Sequence, residues 1–377
     1  MARDITARLK NLQSRRTGTD QAGRISLESL TEAFAKSLET EAYQRRSDKP
    51  YTKYALGSMQ EVEPSYTRIG IEEATRIGKQ LKLGLQGKQI PVDFRLQGSV
   101  PCNIHIRGAS DVDLLTIHAG FHTYDKSGAR SRAGQYNNPI SYTPLSALQK
   151  LRTEAEKILE SAYPAADVDV TGAKAIKLSG GSLRRPVDVV PSHWHDTTDY
   201  QLYGDEYRRG ICVLDKKKEE TVQNLPFLHI HHIGTKDDLS LRGLKKAIRL
   251  CKNVKADAAK EKRDIALSSY DIAAFLWHAD MTAFRLGAVN ELAILAETQR
   301  HLDFYALNQN EAKNLVVPDG SRKIFDTAEK LNALMLLSVE IDDLAKEVAA
   351  EVDVTLQYFP ESWDRRRTVL SKAYIAA

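Results

Sequence analysis

The sequence predicts an α+β protein of two lobes, in which a lobe built on a mixed β-sheet is followed by a lobe of α-helices. The chain has 377 residues, which is more than one hydrophobic core usually holds, so two packed units are expected. Strand patterns concentrate between residues 90 and 196, and helical spacing dominates after residue 237. The proportions of hydrophobic residues (42%) and charged residues (28%) are those of an ordinary globular protein.

The composition argues against several classes of protein. With 54 basic and 50 acidic residues, the formal net charge is +4, which is too small to predict a stable complex with duplex nucleic acid. The three cysteines form no CxxC pair, so neither a disulfide framework nor a thiolate zinc site is indicated. The first residues are charged, and no apolar run reaches the roughly 18 residues of a membrane span. We therefore expect a cytoplasmic protein that does not bind a membrane.

Residues 1–50 are expected to form an N-terminal helical arm. The stretch is polar and rich in Arg, Lys and Glu. Within it, apolar side chains recur at helical spacing at Leu27, Leu30, Phe34 and Leu38. An arm of this kind is expected at the periphery of the protein.

Residues 51–236 are expected to form the sheet lobe, which begins with a long helix between residues 66 and 87. The apolar positions of this helix are Ile69, Ala74, Ile77, Leu81 and Leu85. Strands are predicted over IPVDFRLQGS, DVDLLTIHA, DVDVTGAKAIKLS and RRPVDVVPS, and a helix over LSALQKLRTEAEKILESAY. The turn-rich segment TYDKSGARSRAGQYNNPISYTP is expected to be a surface loop.

Residues 237–377 are expected to form the helical lobe. Helical spacing is present in LSLRGLKKAIRLCKNV, SYDIAAFLWHAD, GAVNELAILAETQRHL and IFDTAEKLNALMLLSVEIDDLAKEVAAEV. Since strand patterns fade over the same range, this part of the chain is predicted to be α-helical.

Two acids on one predicted strand point to metal and phosphate chemistry. Asp111 and Asp113 are two residues apart, so they lie on the same face of the strand and repel each other. The repulsion is relieved if a hard cation lies between them, and Mg²⁺ takes oxygen ligands of this kind together with substrate phosphates. Upstream, Gly98 allows the backbone to come close to a phosphate, and Ser99 offers an amide and a hydroxyl group.

A third acid completes the pattern. Asp188 lies between Val187 and Val189 in a predicted strand, where an acid is costly unless a ligand or partner compensates it. Two-metal phosphoryl transfer requires such a third ligand. We therefore predict that Asp113 and Asp188 flank one ion, that Asp111 bridges toward a nucleoside triphosphate, and that the ion is Mg²⁺, with Mn²⁺ as an alternative.

The order of these motifs resembles a known superfamily. Gly98-Ser99, then Asp111-x-Asp113 on a following strand, then Asp188 in VDVVP resemble the polymerase-beta-like nucleotidyltransferases. The segments LQGS, IRGASDVDLL and VDVVP resemble the cyclic GMP-AMP synthase and oligoadenylate synthase branch, in particular bacterial CD-NTases of the CdnE-like group. The resemblance implies a nucleotidyltransferase lobe and a helical lobe joined by a long spine helix, which here corresponds to the helix near residues 66–87.

The resemblance extends into the helical lobe. LRGLKKAIRLCKNVK followed by IALSSYDIAAFLWH is similar to the family segment in which a lysine contacts the donor triphosphate and a Ser-Tyr pair lies on the nucleotide. It implies that Lys252 and Ser269 bind phosphate and that Tyr270 stacks on a base. One departure is Ile104, which stands where many relatives have a small hydroxyl residue.

The resemblance implies an enzyme that joins nucleoside triphosphates (ATP, GTP, UTP or CTP) into a cyclic di- or trinucleotide and releases pyrophosphate. Asp113 and Asp188 would orient and deprotonate a ribose hydroxyl, while Asp111 and the ions stabilise charge on the triphosphate. The product would be a second messenger for a cyclic-nucleotide-responsive effector in defence against phage, as in CBASS systems. Two alternatives remain: a nucleotidyltransferase that modifies an RNA end, a protein or a small molecule, and a catalytically idle nucleotide-sensing scaffold.

Several of these residues also have ordinary structural interpretations. A second DxD pattern, at residues 167–169, lacks a Gly-Ser turn. Asp188 could instead pair with Arg184 or Arg185. Lys252 shares a helical stripe with Lys245 and Arg249, which is typical of a solvated helix face. Ser269 and Tyr270 could be a helix cap and a core aromatic residue.

The histidines offer a weaker alternative, a structural zinc site. His193 and His195 flank Trp194, and a second group follows Cys212 in the chain at His229, His231 and His232. Their spacings match no compact zinc finger. Pocket or surface lining is the more ordinary role, and His193 and His195 are expected to contact a bound base because they follow the Asp188 strand closely.

Overall fold

A computed structural model of the protein describes residues 3–21, 25–108, 110–137, 140–358 and 362–376. In these residues, the helices before the first strand begin at groups suited to helix N-termini: the side chains of Asp4 and Ser26 accept hydrogen bonds from main-chain amides, and Pro50 and Pro64 occupy first-turn positions. The helices are α1 (Ile5–Thr17), α2 (Leu27–Ser37), α3 (Ala42–Arg45), α4 (Pro50–Met59) and α5 (Pro64–Gln86).

A seven-stranded sheet follows. Its strands are β1 (Val92–Gln97), β2 (Val112–Tyr124), β3 (Asp167–Asp169), β4 (Ile176–Ser179), β5 (Val187–Asp196), β6 (Gly210–Asp215) and β7 (Glu220–Asn224). They pair in the order β1-β2-β5-β4-β3, with β6 beside β5 and β7 beside β6. The central pair β2 and β5 is parallel and the other pairs are antiparallel. The predicted mixed sheet is confirmed.

Helix α5 is the long helix that the apolar spacing predicts. Its residues Ala74, Ile77, Leu81 and Leu85 are buried and share a core with the sheet. Helix α7 (Pro144–Ala162) contributes Leu148, Leu151, Ala155 and Leu159 to the same core. The expected surface loop before α7 contains a short helix, α6 (Ala129–Arg132), and residues 138 and 139 of that loop lie outside the described residues.

The C-terminal half is helical, as predicted. A second hydrophobic core combines residues of this half with residues near the N-terminus, including Leu12, Tyr54 and Met59 beside Ile248 and Ile341. Helices α1 and α4 therefore pack with the C-terminal helices, although α4 belongs to the expected sheet lobe; the expected domain bounds stay a prediction. The remaining helices are α8 (Thr198–Tyr203), α9 (Pro226–Leu239), α10 (Gly243–Lys260), α11 (Ser269–Trp277), α12 (Met281–Leu286), α13 (Leu292–Leu307), α14 (Gln309–Ala312), α15 (Ala328–Val352) and α16 (Trp363–Lys372).

Charged side chains hold α1 in this second core. Arg15 donates to both carboxylate oxygens of Asp257 at 2.6 and 2.8 Å, and the Tyr54 hydroxyl donates to the same carboxylate. Two helix turns before Arg15, Arg8 donates to Glu340 at 2.6 Å. All four charged groups are buried, and each has a partner of opposite charge.

Four elements between residues 198 and 239 are absent from the sequence-based prediction: α8, β6, β7 and α9. Within β6 the run ICVL is continuously apolar, and such a run does not distinguish a strand from a buried helix by its period. The histidines at 229, 231 and 232 lie on α9 and not on a strand.

Helix α2 is present as predicted, but its apolar stripe does not face the protein. Leu27, Phe34 and Leu38 are 79%, 56% and 88% exposed. The helix instead packs through the small residues Ser29 and Ala33, which allow a close approach. Across the described residues, each helix is too short or too polar to cross a bilayer.

Candidate active site

The central strand pair brings two of the predicted acids together. Asp113 of β2 and Asp188 of β5 are direct partners in the parallel register, so they lie side by side on adjacent strands. Desolvation, and then the charges of Asp188 and Asp111, raise the pKa of Asp113 to about 7. The cost of ionising Asp113 in this place is what a bound cation would offset.

The predicted Gly-Ser turn lies against the same carboxylate. Strand β1 ends at Gln97, the partner of Asp113, so Gly98 and Ser99 begin the turn directly beside the acid. Gly98 has φ +77°, and a Cβ atom on it would lie 2.3 Å from Oδ2 of Asp113. A side chain is therefore excluded twice at Gly98, by backbone conformation and by the carboxylate. The turn is closed by a hydrogen bond from the Ile104 amide to the Ser99 carbonyl at 3.0 Å.

The surroundings of Asp188 do not match its structural interpretation. Its ion-pair contact is with Lys177, whose Nζ lies 3.9 Å from Oδ2. Arg184 pairs instead with Glu72 and Glu73 of α5. Arg185 donates to main-chain carbonyls. Lys177 is more than half exposed, so solvent screens this ion pair and it contributes little.

No three His, Cys, Asp or Glu side chains in the described part of the chain are arranged to hold a metal ion. The zinc alternative therefore receives no support. The same holds for Asp111, Asp113 and Asp188. These three acids lie near the N-terminal ends of β2 and β5, but their carboxylates do not converge on a single metal position. The donor chemistry still fits Mg²⁺ or Mn²⁺, because carboxylate oxygens crowd together there and the pKa of Asp113 is raised. Asp113 and Asp188 are the two residues best placed to hold such an ion.

Lys252 of α10 lies near the acids but is not exposed. Its Nζ donates to the Ile104 carbonyl at 2.8 Å and to the Ser110 hydroxyl at 3.3 Å, and burial lowers its pKa to about 7. Lys252 thus fastens the loop that joins the Gly-Ser turn to Asp111. Two of its three N–H donors are used in this way, so one donor is left for a further acceptor such as a phosphate oxygen.

The interpretation of this α10 stripe as a solvated helix face is wrong. Arg249 and Lys252 are only 1% and 4% exposed. Arg249 donates to the carbonyls of Met59 and Asn103, both at 2.8 Å. The sequence gives no sign of this, because the partners of these cations come from distant parts of the chain.

The Ser-Tyr pair lies at the start of α11. Ser268, and not Ser269, caps the helix by accepting from the Asp271 amide, and Ser269 is the exposed first residue. The half-buried ring of Tyr270 stacks on His229 with centroids 4.1 Å apart, and its hydroxyl donates to Asp319. Tyr270 also packs against the second hydrophobic core, so the core-aromatic interpretation holds in part, whereas Ser269 is not the helix cap.

Two residues at Tyr270 were not predicted as parts of a site. His229, which is 6% exposed, covers one face of the Tyr270 ring. Arg322 lies with its guanidinium carbon 5.2 Å from the ring centroid. The HIHH cluster was visible in the sequence, but nothing in its spacing connects it to Tyr270.

The expectation that His193 and His195 contact a base is wrong. His193 is fully buried and pairs with His118, five positions along β5 from the acid pair, which is about 16 Å on a strand. His195 lies further along the same strand and contacts Thr123 and Asp125. Both histidines belong to the far end of the sheet.

Comparisons with known proteins agree on one group. The family model described as the cGAS/DncV-like nucleotidyltransferase C-terminal helical domain matches residues 231–338. The chain is 40% identical over 360 residues to the cyclic dinucleotide synthase CdnE of Yersinia aleksiciae, which covers 92% of this chain and 93% of that protein. It is 30% identical over 315 residues to a c-di-GMP synthase of a Lachnospiraceae bacterium, covering 78% of this chain and 87% of that protein.

The fold comparison points in the same direction. A STING-associated CdnE c-di-GMP synthase from Flavobacteriaceae sp. superposes with a TM-score of 0.70 at 26% sequence identity. The superposition covers 91% of this chain and 97% of that one. The similarity therefore includes both the sheet and the helical half.

Proposed function

Since this chain belongs to the CdnE family of bacterial CD-NTases, we propose that it joins two nucleoside triphosphates into a cyclic dinucleotide and releases pyrophosphate. The observation that carries the proposal is the contact of three predicted elements: Asp113 lies opposite Asp188, and Gly98 lies against the carboxylate of Asp113. The acids and the Gly-Ser turn meet at the N-terminal ends of the two central strands, and acids beside a turn that can bind phosphate are the arrangement that nucleotidyl transfer requires.

The chain's own groups divide the work. The carboxylates of Asp113 and Asp188 would orient a ribose hydroxyl and accept its proton, while Gly98 and Ser99 present amide and hydroxyl donors to the phosphates. Asp111 lies on the triphosphate side. A bound Mg²⁺, or Mn²⁺ in its place, would supply charge stabilisation on the phosphoryl oxygens. In the first transfer a ribose oxygen of one nucleotide bonds to the α-phosphorus of the other, whose bond to pyrophosphate breaks. A second transfer of the same kind closes the ring and releases the second pyrophosphate.

The helical half would hold the nucleotide. Tyr270 offers an aromatic face to a base, and His229 behind it keeps the ring in place. Lys252 would donate its remaining N–H to a phosphate oxygen, and Ser269 is exposed next to Tyr270. These roles are supported by the placement of the side chains and by the family resemblance.

We further propose that the cyclic dinucleotide is a second messenger that activates a separate effector in defence against phage. The support is the family: one relative is named a c-di-GMP synthase and a solved one is described as STING-associated. The expected partners of this chain are therefore nucleoside triphosphates, with the effector as an indirect partner.

The test is incubation of the purified protein with radiolabelled ATP, GTP, CTP and UTP and with Mg²⁺ or Mn²⁺. Small products that resist phosphatase and have the mass of a cyclic dinucleotide are expected. Asp111→Ala with Asp113→Ala should abolish them. A matched control replaces the second DxD pattern, Asp167→Asn with Asp169→Asn, and should keep full activity, because these residues lie on the edge strand β3, two strands from Asp188, and the Asp169 carboxylate accepts hydrogen bonds from Thr171.

The alternatives give different results in the same assay. If radiolabel enters a product only after RNA, a protein or a small-molecule acceptor is added, the enzyme is a nucleotidyltransferase that modifies that acceptor. Absence of any product, with nucleotide binding retained, identifies a scaffold. Either result contradicts cyclic dinucleotide synthesis.

A further inference from the structure

Ser110, the residue before Asp111, is held by three donors from three parts of the chain. Its carbonyl accepts from Arg185 at 3.0 Å. Its hydroxyl accepts from the Ile106 amide and from Lys252, each at 3.3 Å. A buried residue with this many fixed contacts determines where the next side chain begins.

Arg185 is the unusual member of this group. Its side chain is 1% exposed, yet its hydrogen bonds go to two main-chain carbonyls, those of Ser110 and Tyr66, and its Nε atom has no partner. Burying a guanidinium in this way costs free energy, and the same fold would be stabilised more simply by an apolar side chain. Adjacent Arg184 shows the usual arrangement, since it is partly exposed and pairs with two glutamates of α5.

The surroundings are shaped to fix the plane of this guanidinium. The guanidinium carbon of Arg185 lies 3.7 Å from the centroid of the Tyr66 ring, and that of Arg107 lies 4.2 Å from the same centroid. Gly70 in the middle of α5 makes room for it, because a Cβ atom there would lie 2.6 Å from an Arg185 nitrogen. Glycine inside a helix costs about 1 kcal/mol relative to alanine. The helix thus gives up some stability where Arg185 passes.

We infer that Arg185 is a positioning residue that sets Asp111 for its role toward the metal and the triphosphate, acting through the Ser110 carbonyl. The inference rests on the proposed function. The two hydrogen bonds of Arg185 tie the loop before β2 to the first turn of α5, and its planar fork fixes the direction of both. Lysine in its place would keep the charge and lose the fork.

The test compares Mn²⁺ binding, measured by electron paramagnetic resonance, in the wild type and in Arg185→Lys, Gly70→Ala and Arg184→Lys. For Arg185→Lys we expect about tenfold weaker Mn²⁺ binding and a matching shift in the Mn²⁺ concentration that half-saturates synthesis, as is typical of residues that orient metal ligands. Gly70→Ala should change binding in the same direction, because the added methyl group would lie 2.6 Å from an Arg185 nitrogen and 2.9 Å from Cγ2 of Val112 and so displaces the guanidinium and β2 together. Arg184→Lys should bind Mn²⁺ like the wild type.

A merely structural role would lower the melting temperature and leave the Mn²⁺ affinity of the folded protein unchanged. That result in both Arg185→Lys and Gly70→Ala, or an equal loss of affinity in Arg184→Lys, would overturn the inference. If Arg185→Lys does not fold, Arg185→Gln decides, since it keeps a planar side chain with two N–H donors and loses the charge. If the wild type itself binds no Mn²⁺, the proposed metal-dependent function fails, and the positioning role fails with it.

Discussion

Buried charge is treated in opposite ways in two regions of this molecule. At α1, Arg15 meets Asp257 through two short hydrogen bonds. At the N-terminal ends of β2 and β5, Asp113 lies beside Asp188, and the charge of Asp111 also acts on it. The first region pairs Arg15 with Asp257 directly, whereas in the second region the charges of Lys177 and Lys252 offset the repulsion of the acids only in part.

The difference in charge pairing indicates which region stabilises the fold and which region is suited to bind a ligand. A matched buried pair satisfies its own hydrogen bonds, so removing one partner harms the fold. A cluster of like charges lowers the stability of the fold, and such clusters are typical of sites that bind a ligand of opposite charge. Substitutions in the two regions should therefore have opposite effects on stability and activity.

The largest effect is expected for Asp113→Asn. Synthesis should fall by about 10³-fold or more, which is about 4 kcal/mol in transition-state free energy, because one of the two proposed metal ligands is lost. In metal-free buffer the melting temperature should not fall, and a rise is expected, since the change removes a negative charge from an acidic cluster. Product formation and thermal unfolding measure the two quantities.

The comparison would break if Asp113→Asn unfolded at a clearly lower temperature than the wild type without metal. In that case the acid would be a structural element, and the loss of activity would carry no information about catalysis.

The reverse pattern is expected for Asp257→Asn. It leaves the buried guanidinium of Arg15 without a counter-charge, so the free energy of unfolding should fall by about 3 kcal/mol in urea titrations. The matched control is Glu206→Gln, which breaks an exposed two-bond pair with Arg95. There the loss should stay below about 1 kcal/mol. Equal losses at the two positions would show that burial does not govern the cost.

The sequence was informative wherever the evidence is local. Apolar spacing indicated the long helix α5, and the valines around Asp188 indicated β5. The DxD spacing and the Gly-Ser pair likewise marked positions that the register brings together. Each of these signals lies within a few residues of the feature that it predicts.

What the sequence does not reveal depends on distant pairing. Lys252 and Ile104 are 148 positions apart, and Arg15 and Asp257 are 242 positions apart. A basic residue on a helix has the same local pattern whether it ends in water or against a remote carbonyl. For this reason a solvated face was the ordinary structural alternative for the α10 stripe, and the sequence does not predict the packing of α1.

A smaller effect is expected at Tyr270, whose ring stacks on His229 and is only partly buried against the core. Tyr270→Leu removes a stacking face worth about 2 kcal/mol per base, so the KM for nucleotide should rise about thirtyfold. Tyr270→Phe keeps the face, loses only the hydrogen bond to Asp319, and should change KM little. An unchanged KM in Tyr270→Leu would place the base elsewhere.

The smallest effect on stability is expected at helix α2, whose apolar stripe contrasts with that of α5. Both helices have apolar residues at helical spacing, but Phe34 is 56% exposed whereas Leu81 of α5 is fully buried. Phe34→Ser should change the free energy of unfolding by no more than about 0.5 kcal/mol, since little apolar surface leaves the core. Leu81→Ala should cost about 2–5 kcal/mol. If Phe34→Ser costs as much as Leu81→Ala in urea titrations, the stripe of α2 is buried in solution, and periodicity alone would have identified the correct face.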